Sequence, residues 1–196
     1  MANRILEAAS RAFGRLGYAA VRVEDILLEA EISRPTFYKA FRTKEGVFQA
    51  LSERHHLEIR ERIRAVSLES LEPLQMLARM VDTFLTWRAG LGPVGRVLDV
   101  EARTPGSCIA GDRKKTLQEM TSLLNQQLTA SGRRAVDPTF LVALIAALES
   151  LADSLLSGKK RIDSAAMNRA RAIALRLVSG ALANPGEALP PLPEPP

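Results

Sequence analysis

The stretch from Val21 to Phe48, VRVEDILLEAEISRPTFYKAFRTKEGVF, decides the fold. Two short segments with helical periodicity flank a turn at residues 31–33. The serine that ends this turn is a typical helix N-cap, and the arginine and proline after it suit a first helical turn. At about 100° per residue, Phe37 and Phe41 share one face of the second helix, whereas Tyr38 lies on the other. The pattern predicts two short helices that cross steeply, with a buried aromatic face and an exposed polar one.

The charge of this segment favours a polyanionic partner. Residues 32–44 contain four cations and no carboxylate. In a helix-turn-helix, the second helix enters the major groove by its N-terminal residues. The competing interpretation, a solvated basic face on a structural hairpin, does not explain the exposed tyrosine beside a core phenylalanine. We therefore predict that base edges are contacted by Arg34, Pro35, Thr36 and Lys39, and phosphates by Tyr38 and Lys44, within the set Arg22, Ser33, Arg34, Pro35, Thr36, Tyr38, Lys39, Arg42, Thr43 and Lys44.

The composition is that of a packed globular protein. The chain has 196 residues, of which 46% are hydrophobic and 25% charged, which excludes a disordered polymer. Its net charge of +5 is compatible with nucleic acid but common elsewhere. The single cysteine, Cys108, excludes an intrachain disulfide and leaves a redox role open. The N-terminus lacks a signal-peptide core, and the longest apolar run, 140–148, is too short for a bilayer. We expect a cytoplasmic protein with no membrane partner.

Helical periodicity continues through the rest of the chain, which predicts an all-α protein. We place a helix-turn-helix domain at 1–48, with a fourth helix from about 44 leading onward. A larger helical domain follows at 49–182, and a proline-rich tail at 183–196 is expected to be disordered. Within the larger domain, one helix is predicted at 114–131 and a last helix from 163 to about 178, before Gly180.

The N-terminal quarter resembles the DNA-binding domain of the tetracycline-repressor (TetR) family of bacterial transcription regulators. The resemblance rests on AxxxFxxxGY from Ala9 to Tyr18, on VEDIL, and on ISRPTFYKAFRTKEGVF. Two positions depart from the family pattern. Glu31 stands where glycine is usual, so it bears a conformational cost if its φ is positive. Arg22 stands where a hydroxyl usually caps the helix, although its guanidinium can still reach a phosphate.

The resemblance implies a bacterial, cytoplasmic homodimer that binds a palindromic double-stranded operator, most often as a repressor. The family's last two helices form a four-helix bundle with their symmetry mates, and its middle helices enclose a small-molecule effector. On this basis the dimer interface is expected at Leu144, Ala147, Leu148, Leu151, Ala170, Ile173 and Leu177. The effector site is expected at Met80, Phe84, Trp87, Leu91, Val97 and Met120, while the identity of the effector is not in the sequence.

Two other classes of function remain open from the residues alone. One is an architectural DNA-binding protein without an effector, and the other is a helical carrier or enzyme whose hairpin is only structural. No spacing of Ser, His and Asp suggests a catalytic triad, and two histidines provide little general-base capacity. His55 and His56 are adjacent on a helix, about 100° apart, so they cannot chelate one metal ion together. We expect no catalytic residue, no metal site and no cofactor.

Overall fold

The computed structural model describes residues 1–156, 164–183, 186, 188 and 189. Over these residues the chain is all-α, with nine helices and no strand. The predicted fold class is therefore confirmed. The helices are α1 (Ala2–Leu16), α2 (Val23–Ala30), α3 (Arg34–Ala40), α4 (Lys44–Ser67), α5 (Pro73–Gly90), α6 (Pro93–Arg103), α7 (Ala110–Ala130), α8 (Pro138–Leu156) and α9 (Ser164–Leu182).

The chain divides into two compact units that alternate along the sequence. The first unit contains Met1–Glu58 and Leu91–Thr116, and the second contains Ile59–Gly90 and Leu117–Pro196. Helices α4 and α7 therefore each contribute residues to both units. The predicted functional division at residue 48 stays a prediction, because compactness does not say which residues bind DNA or ligand. Most of the predicted tail, 183–196, lies outside the described residues.

The first unit is built around three phenylalanines. Phe13, Phe37 and Phe48 are completely buried, and they come from α1, α3 and α4 respectively. Helix α1 packs against both α2 and α6. At the α1–α6 contact, a Cβ atom on Gly14 would lie 3.1 Å from the Val94 backbone nitrogen and 3.2 Å from Cβ of Pro93. A side chain at position 14 would therefore require the two helices to move apart by a few tenths of an ångström.

The second unit is held together by α5, α8 and α9, which pack against one another. Two ion pairs link them. Arg88 of α5, almost fully buried, donates to Asp153 of α8 at 2.5 Å. Arg171 of α9 donates to Asp82 of α5, also at 2.5 Å. Breaking a partly buried, hydrogen-bonded ion pair costs more free energy of folding than breaking an exposed one. These two contacts therefore help to fix how the three helices align.

Two helix limits differ from those predicted. Helix α7 begins at Ala110 rather than near 114, because the Ser107 carbonyl accepts from the Ala110 amide at 3.3 Å and starts the first turn. Helix α9 continues through Gly180 to Leu182, because Val178 and Leu182 on either side of the glycine are buried. At the end of α9, tertiary packing outweighs the local preference of glycine for a helix end. None of the described helices combines the length and the hydropathy that crossing a bilayer requires.

Candidate nucleic-acid interface and ligand cavity

The turn between α2 and α3 has the predicted three residues, Glu31 to Ser33. Glu31 ends α2 in the left-handed region, with φ 50° and ψ 50°. It is the single non-glycine residue with positive φ in the described part of the chain. Its amide donates to the Leu28 carbonyl at 3.2 Å, and the next amide, of Ile32, donates to Leu27 at 3.1 Å. The condition for the expected conformational cost, a positive φ at Glu31, is therefore met.

Helix α3 has the predicted two faces. Ser33 caps it, with its hydroxyl accepting from the Thr36 amide at 3.4 Å. Phe37 is completely buried, whereas the adjacent Tyr38 is 48% exposed. Phe41 is half-buried, with its ring centroid 6.3 Å from that of Phe37. Buried aromatic residues thus anchor α3 to its unit and leave the tyrosine hydroxyl accessible.

The predicted DNA-contacting residues of α3 and its flanks reach the surface together. Arg34, Lys39 and Arg42 are exposed, as are Arg22, Ser33, Pro35 and Thr43. The guanidinium of Arg34 is bound to the carboxylate of Glu24 on α2. The sequence reasoning missed this acidic partner, although opposite charges on the two helices of one hairpin could have indicated it. Contacts of these residues with DNA stay predictions.

The start of α2 explains how the chain tolerates an arginine at its N-cap. Asp25 accepts a hydrogen bond from the Arg22 amide at 2.8 Å. The carboxylate also lies in the first helical turn, where the helix dipole favours negative charge. Asp25 therefore supplies the local stabilisation, and the Arg22 side chain remains on the surface.

Lys44, at the start of α4, is held by the segment after α1. Its Nζ donates to the Tyr18 carbonyl at 3.0 Å and lies 4.5 Å from the centroid of the Tyr18 ring. The Tyr18 hydroxyl in turn donates to Glu45 at 3.4 Å. Burial, with smaller contributions from Cys108 and Glu45, raises the pKa of Tyr18, so the phenol stays protonated. The ammonium group is therefore positioned before any phosphate arrives, and its contact with DNA stays a prediction.

Cys108 belongs to the same neighbourhood. Its backbone carbonyl accepts from the Gln49 amide group at 3.0 Å. Burial raises the pKa of its thiol. Since the thiolate is the reactive species, this environment disfavours oxidation.

The second unit contains two neighbouring cavities. We call the larger one the Arg133 groove. It has a volume of about 360 Å³ and carries Gln127, Ser131 and Arg133 among apolar side chains. The smaller one, the apolar cleft, has a volume of about 60 Å³ and is lined only by aliphatic side chains, methionines and Phe84. The cavities adjoin, because they share four lining residues: Leu77, Met80, Leu124 and Leu182.

The structure gathers half of the predicted effector residues. Met80, Phe84 and Met120 line the apolar cleft. Trp87 does not line it, but its ring centroid lies 6.0 Å from that of Phe84. Leu91 and Val97 belong to the first unit, where Val97 packs against the core around Phe13 and Phe37. The reason is the break after Gly90, which places the chain beyond α5 in the first unit.

The predicted dimer residues of α8 and α9 separate into two groups. Leu144 and Leu148 line the apolar cleft. Leu151 packs against the hydrophobic core of the second unit, as these two leucines also do. Ala170 is completely buried inside its own unit, so, contrary to the predicted interface, it has no exposed surface to offer a partner. Ile173 is half-buried, whereas Ala147 and Leu177 are exposed. The exposed side of α8, which we call the α8 stripe, consists of Phe140, Ala143, Ala147, Ser150 and Ser154.

Among the described residues, no group of three or more His, Cys, Asp or Glu side chains is arranged to hold a metal ion. His55 and His56 face different surroundings: His56 Nδ1 lies 3.3 Å from the Ser52 hydroxyl, whereas both ring nitrogens of His55 are buried without a hydrogen bond.

Helices α2 and α3, with their capped turn and cationic outer face, define a helix-turn-helix DNA-binding protein. Residues 5–51 match the model of the bacterial regulatory proteins of the tetR family. The chain is 26% identical over 166 residues to the HTH-type transcriptional regulator YdgC of Bacillus subtilis strain 168, covering 81% of this chain and 83% of that one. Over residues 5–51 the chain therefore matches the tetR family of transcriptional regulators, which confirms the resemblance found in the sequence.

Solved structures support the same fold over nearly the whole length. SmeT, described as the repressor of the Stenotrophomonas maltophilia multidrug efflux pump SmeDEF, is 25% identical with a TM-score of 0.68, covering 100% of this chain and 96% of that one. A tetR-family regulator from Rhodococcus RHA1 is 26% identical with a TM-score of 0.69, covering 90% and 96%. The fatty acid degradation regulator FadR of Bacillus halodurans, 19% identical with a TM-score of 0.73 over 89% and 94%, shares the fold.

Proposed function

We propose that this regulator is a homodimeric repressor that leaves a palindromic operator when a small molecule enters its second unit. The observation that carries the proposal is the division of α3 into a buried face and an exposed cationic face. Phe37 is completely buried while Arg34, Lys39 and Arg42 are exposed. Such a helix offers base-reading side chains on a fixed support.

The two cavities of the second unit support an effector. The Arg133 groove, at about 360 Å³, is within the usual size range of small-molecule sites. SmeT, which shares the fold at 25% identity, is described as a repressor of an efflux pump, and repression is the mode we propose here. An effector releases DNA only if it binds one conformation of the regulator better than the other. We therefore expect effector and operator to weaken each other's binding by the same factor.

The α8 stripe supports a homodimer. Its five residues recur at spacings of three and four, and none carries a charge. Small side chains let two helices approach closely, and a two-fold interface would bring the stripe against its own copy. The exposed Leu177 of α9 adds an apolar side chain to the predicted interface.

The test begins with the selection of preferred duplexes from random-sequence DNA. Fluorescence anisotropy then compares wild type, Lys39→Ala and Tyr38→Phe on the selected duplex and its single-base variants. Lys39→Ala should lose roughly 1–3 kcal/mol on the preferred duplex and relax the preference at one base step. Tyr38→Phe should weaken all duplexes about equally, because a phosphate contact carries no sequence information.

The matched control is Arg64→Ala, which removes one exposed cation from α4 in the second unit. Binding like that of wild type is expected for this variant. Equal affinity of the wild-type protein for all sequences would instead favour an architectural DNA-binding protein. Absence of duplex binding at every salt concentration would favour a structural hairpin.

A further inference from the structure

The chemistry of the two cavities defines a class of ligand more closely than the proposed function does. The Arg133 groove has polar side chains at one part of its wall, whereas the apolar cleft has none. Among the residues that the structure describes, neither cavity is lined by an aspartate or a glutamate. Arg133 is the charged side chain of this described lining, and its sign favours an anion over a cation.

A hydrogen bond to α9 holds the side chain of Arg133. Its Nη1 donates to the carbonyl of Leu182, near the end of α9, at 2.8 Å. A cation at a helix C-terminus is stabilised by the helix dipole, so the guanidinium is held at the groove wall. A carboxylate that joins the contacts of Arg133 would meet a half-buried cation, at which a charge-assisted hydrogen bond is stronger than in open solvent.

The shape is that of an elongated ligand. Met76 and Phe84 lie at the groove and cleft ends of α5, and their separation along the helix is about 12 Å at 1.5 Å per residue. Methionine is adaptable, and both Met80 and Met120 line the cleft, so the cleft is able to widen around a chain. Its present volume of about 60 Å³ means that the cleft must widen for any such ligand, and a narrow alkyl chain requires less widening than a ring system does.

We propose that the joined cavities bind an elongated amphipathic carboxylate, with its headgroup at Arg133 and its unbranched alkyl chain in the apolar cleft. The effect of this ligand on DNA binding rests on the proposed function, because the ligand would be the effector. The ligand class itself rests on the arginine in the groove wall and on the apolar lining of the described part of the cleft.

The experiment uses the full-length protein, stripped of bound lipid, and three probes with the same chain: decanoate, decanol and decyltrimethylammonium. Binding is measured by isothermal titration calorimetry. It is also followed by fluorescence of Trp87, the chain's one tryptophan, whose ring lies 6.0 Å from Phe84 of the cleft. Decanoate should bind roughly 10- to 100-fold more tightly than decanol, as expected for a hydrogen bond to a charged group. Decyltrimethylammonium should bind more weakly than decanol, and acetate should not bind measurably.

Arg133→Gln should remove the preference for decanoate while leaving decanol binding unchanged. The control Arg134→Gln changes the exposed neighbour and should keep the preference. If Arg133→Gln fails to fold, the comparison of the three probes on the wild-type protein still tests the proposed ligand class. Equal binding of decanoate and decanol, an equal loss in both variants, or no binding of any probe would overturn the inference.

Operator binding with and without decanoate separates this inference from the proposed function. Decanoate that binds as described but leaves operator affinity unchanged would keep the ligand class and contradict its role as effector. Release of the operator by another compound, with no binding of decanoate, would overturn the ligand class and leave the proposed function intact.

Discussion

At the scale of single residues, Glu31 and His55 are held in environments that cost the fold free energy. Glu31 adopts a left-handed backbone conformation that favours glycine. His55 has a side chain only 13% exposed, and neither ring nitrogen has a hydrogen bond. Each of these environments leads to a testable prediction about the free energy of unfolding.

Glu31→Gly should stabilise the protein by roughly 0.5–1 kcal/mol, because glycine adopts φ 50° without the steric cost that a Cβ atom brings. The variant also loses an ion pair with Arg4, but this contact is exposed at 3.4 Å and worth little. Urea denaturation measures the change. The control is Glu31→Gln, which removes the charge and keeps the Cβ atom, and it should lie within about 0.5 kcal/mol of wild type. A glycine variant less stable than the glutamine variant would contradict this explanation.

Because the pKa of His55 is lower in the folded protein than in the unfolded chain, we expect the stability to depend on pH between about pH 6.5 and 4. Burial, reinforced by the charge of Arg54 and opposed by that of Glu58, lowers the pKa of His55 to about 4. The unfolded chain therefore binds more protons than the folded one in this window, so stability is full above the unfolded pKa and falls as the pH decreases. The loss attributable to His55 should be on the order of 3 kcal/mol across the window.

The measurement is the free energy of unfolding of wild type and His55→Gln in urea at several pH values from 4 to 7.5. Carboxylates contribute to the pH dependence of both proteins, so the informative quantity is the difference between the two curves. The wild-type curve should be steeper in the acidic range. Parallel curves would show that His55 does not titrate as described.

At the scale of helices, α8 shows what an amphipathic pattern does and does not determine. Its leucines alternate with small residues, which predicts two distinct faces but not which face is internal. The structure places Leu144 and Leu148 at the apolar cleft and leaves Ala147 exposed. A face of small residues has little apolar area to bury, so the leucine face occupies the interior, where each residue gains more.

The α8 stripe leads to a prediction about assembly. Ala147→Arg should shift the protein from dimer to monomer, because the arginine would place an unpaired charge in a close helix–helix contact and cost several kcal/mol. Analytical ultracentrifugation at micromolar concentration measures this shift. Ala65→Arg, an equivalent change at an exposed position of α4, should leave the dimer intact. A wild-type protein that is monomeric at this concentration would contradict the proposed interface.

The helix-turn-helix could be predicted closely because its determinants are local. The serine cap, the turn length and the spacing of Phe37 and Phe41 act within a few residues. The start of α7 and the end of α9 could not be predicted in this way. A backbone hydrogen bond from Ala110 to Ser107 begins α7 early, and the burial of Leu182 extends α9 past Gly180. The lining of the apolar cleft was predicted only in part for a related reason. Side chains from distant helices form it, and sequence spacing does not show which ones meet.

At the scale of the whole molecule, the order of the chain and the order of its compact units differ. Residues 91–116 return to the first unit after the chain has contributed α5 to the second. Periodicity predicts each helix separately and contains no information about such a return. For this reason Leu91 and Val97 were expected with the effector residues although they belong to the other unit.

The close approach at Gly14 limits how this regulator can be re-engineered. A graft that replaces residues 1–48 with those of another family member would bring a new α1 against the existing α6. If the donor has any side chain at this position, its Cβ atom would meet the Val94 backbone at 3.1 Å. Backbone atoms cannot rotate away as a flexible side chain can. A chimera with glycine at position 14, or with α6 transplanted together with its α1, therefore avoids a displacement of a few tenths of an ångström between these helices.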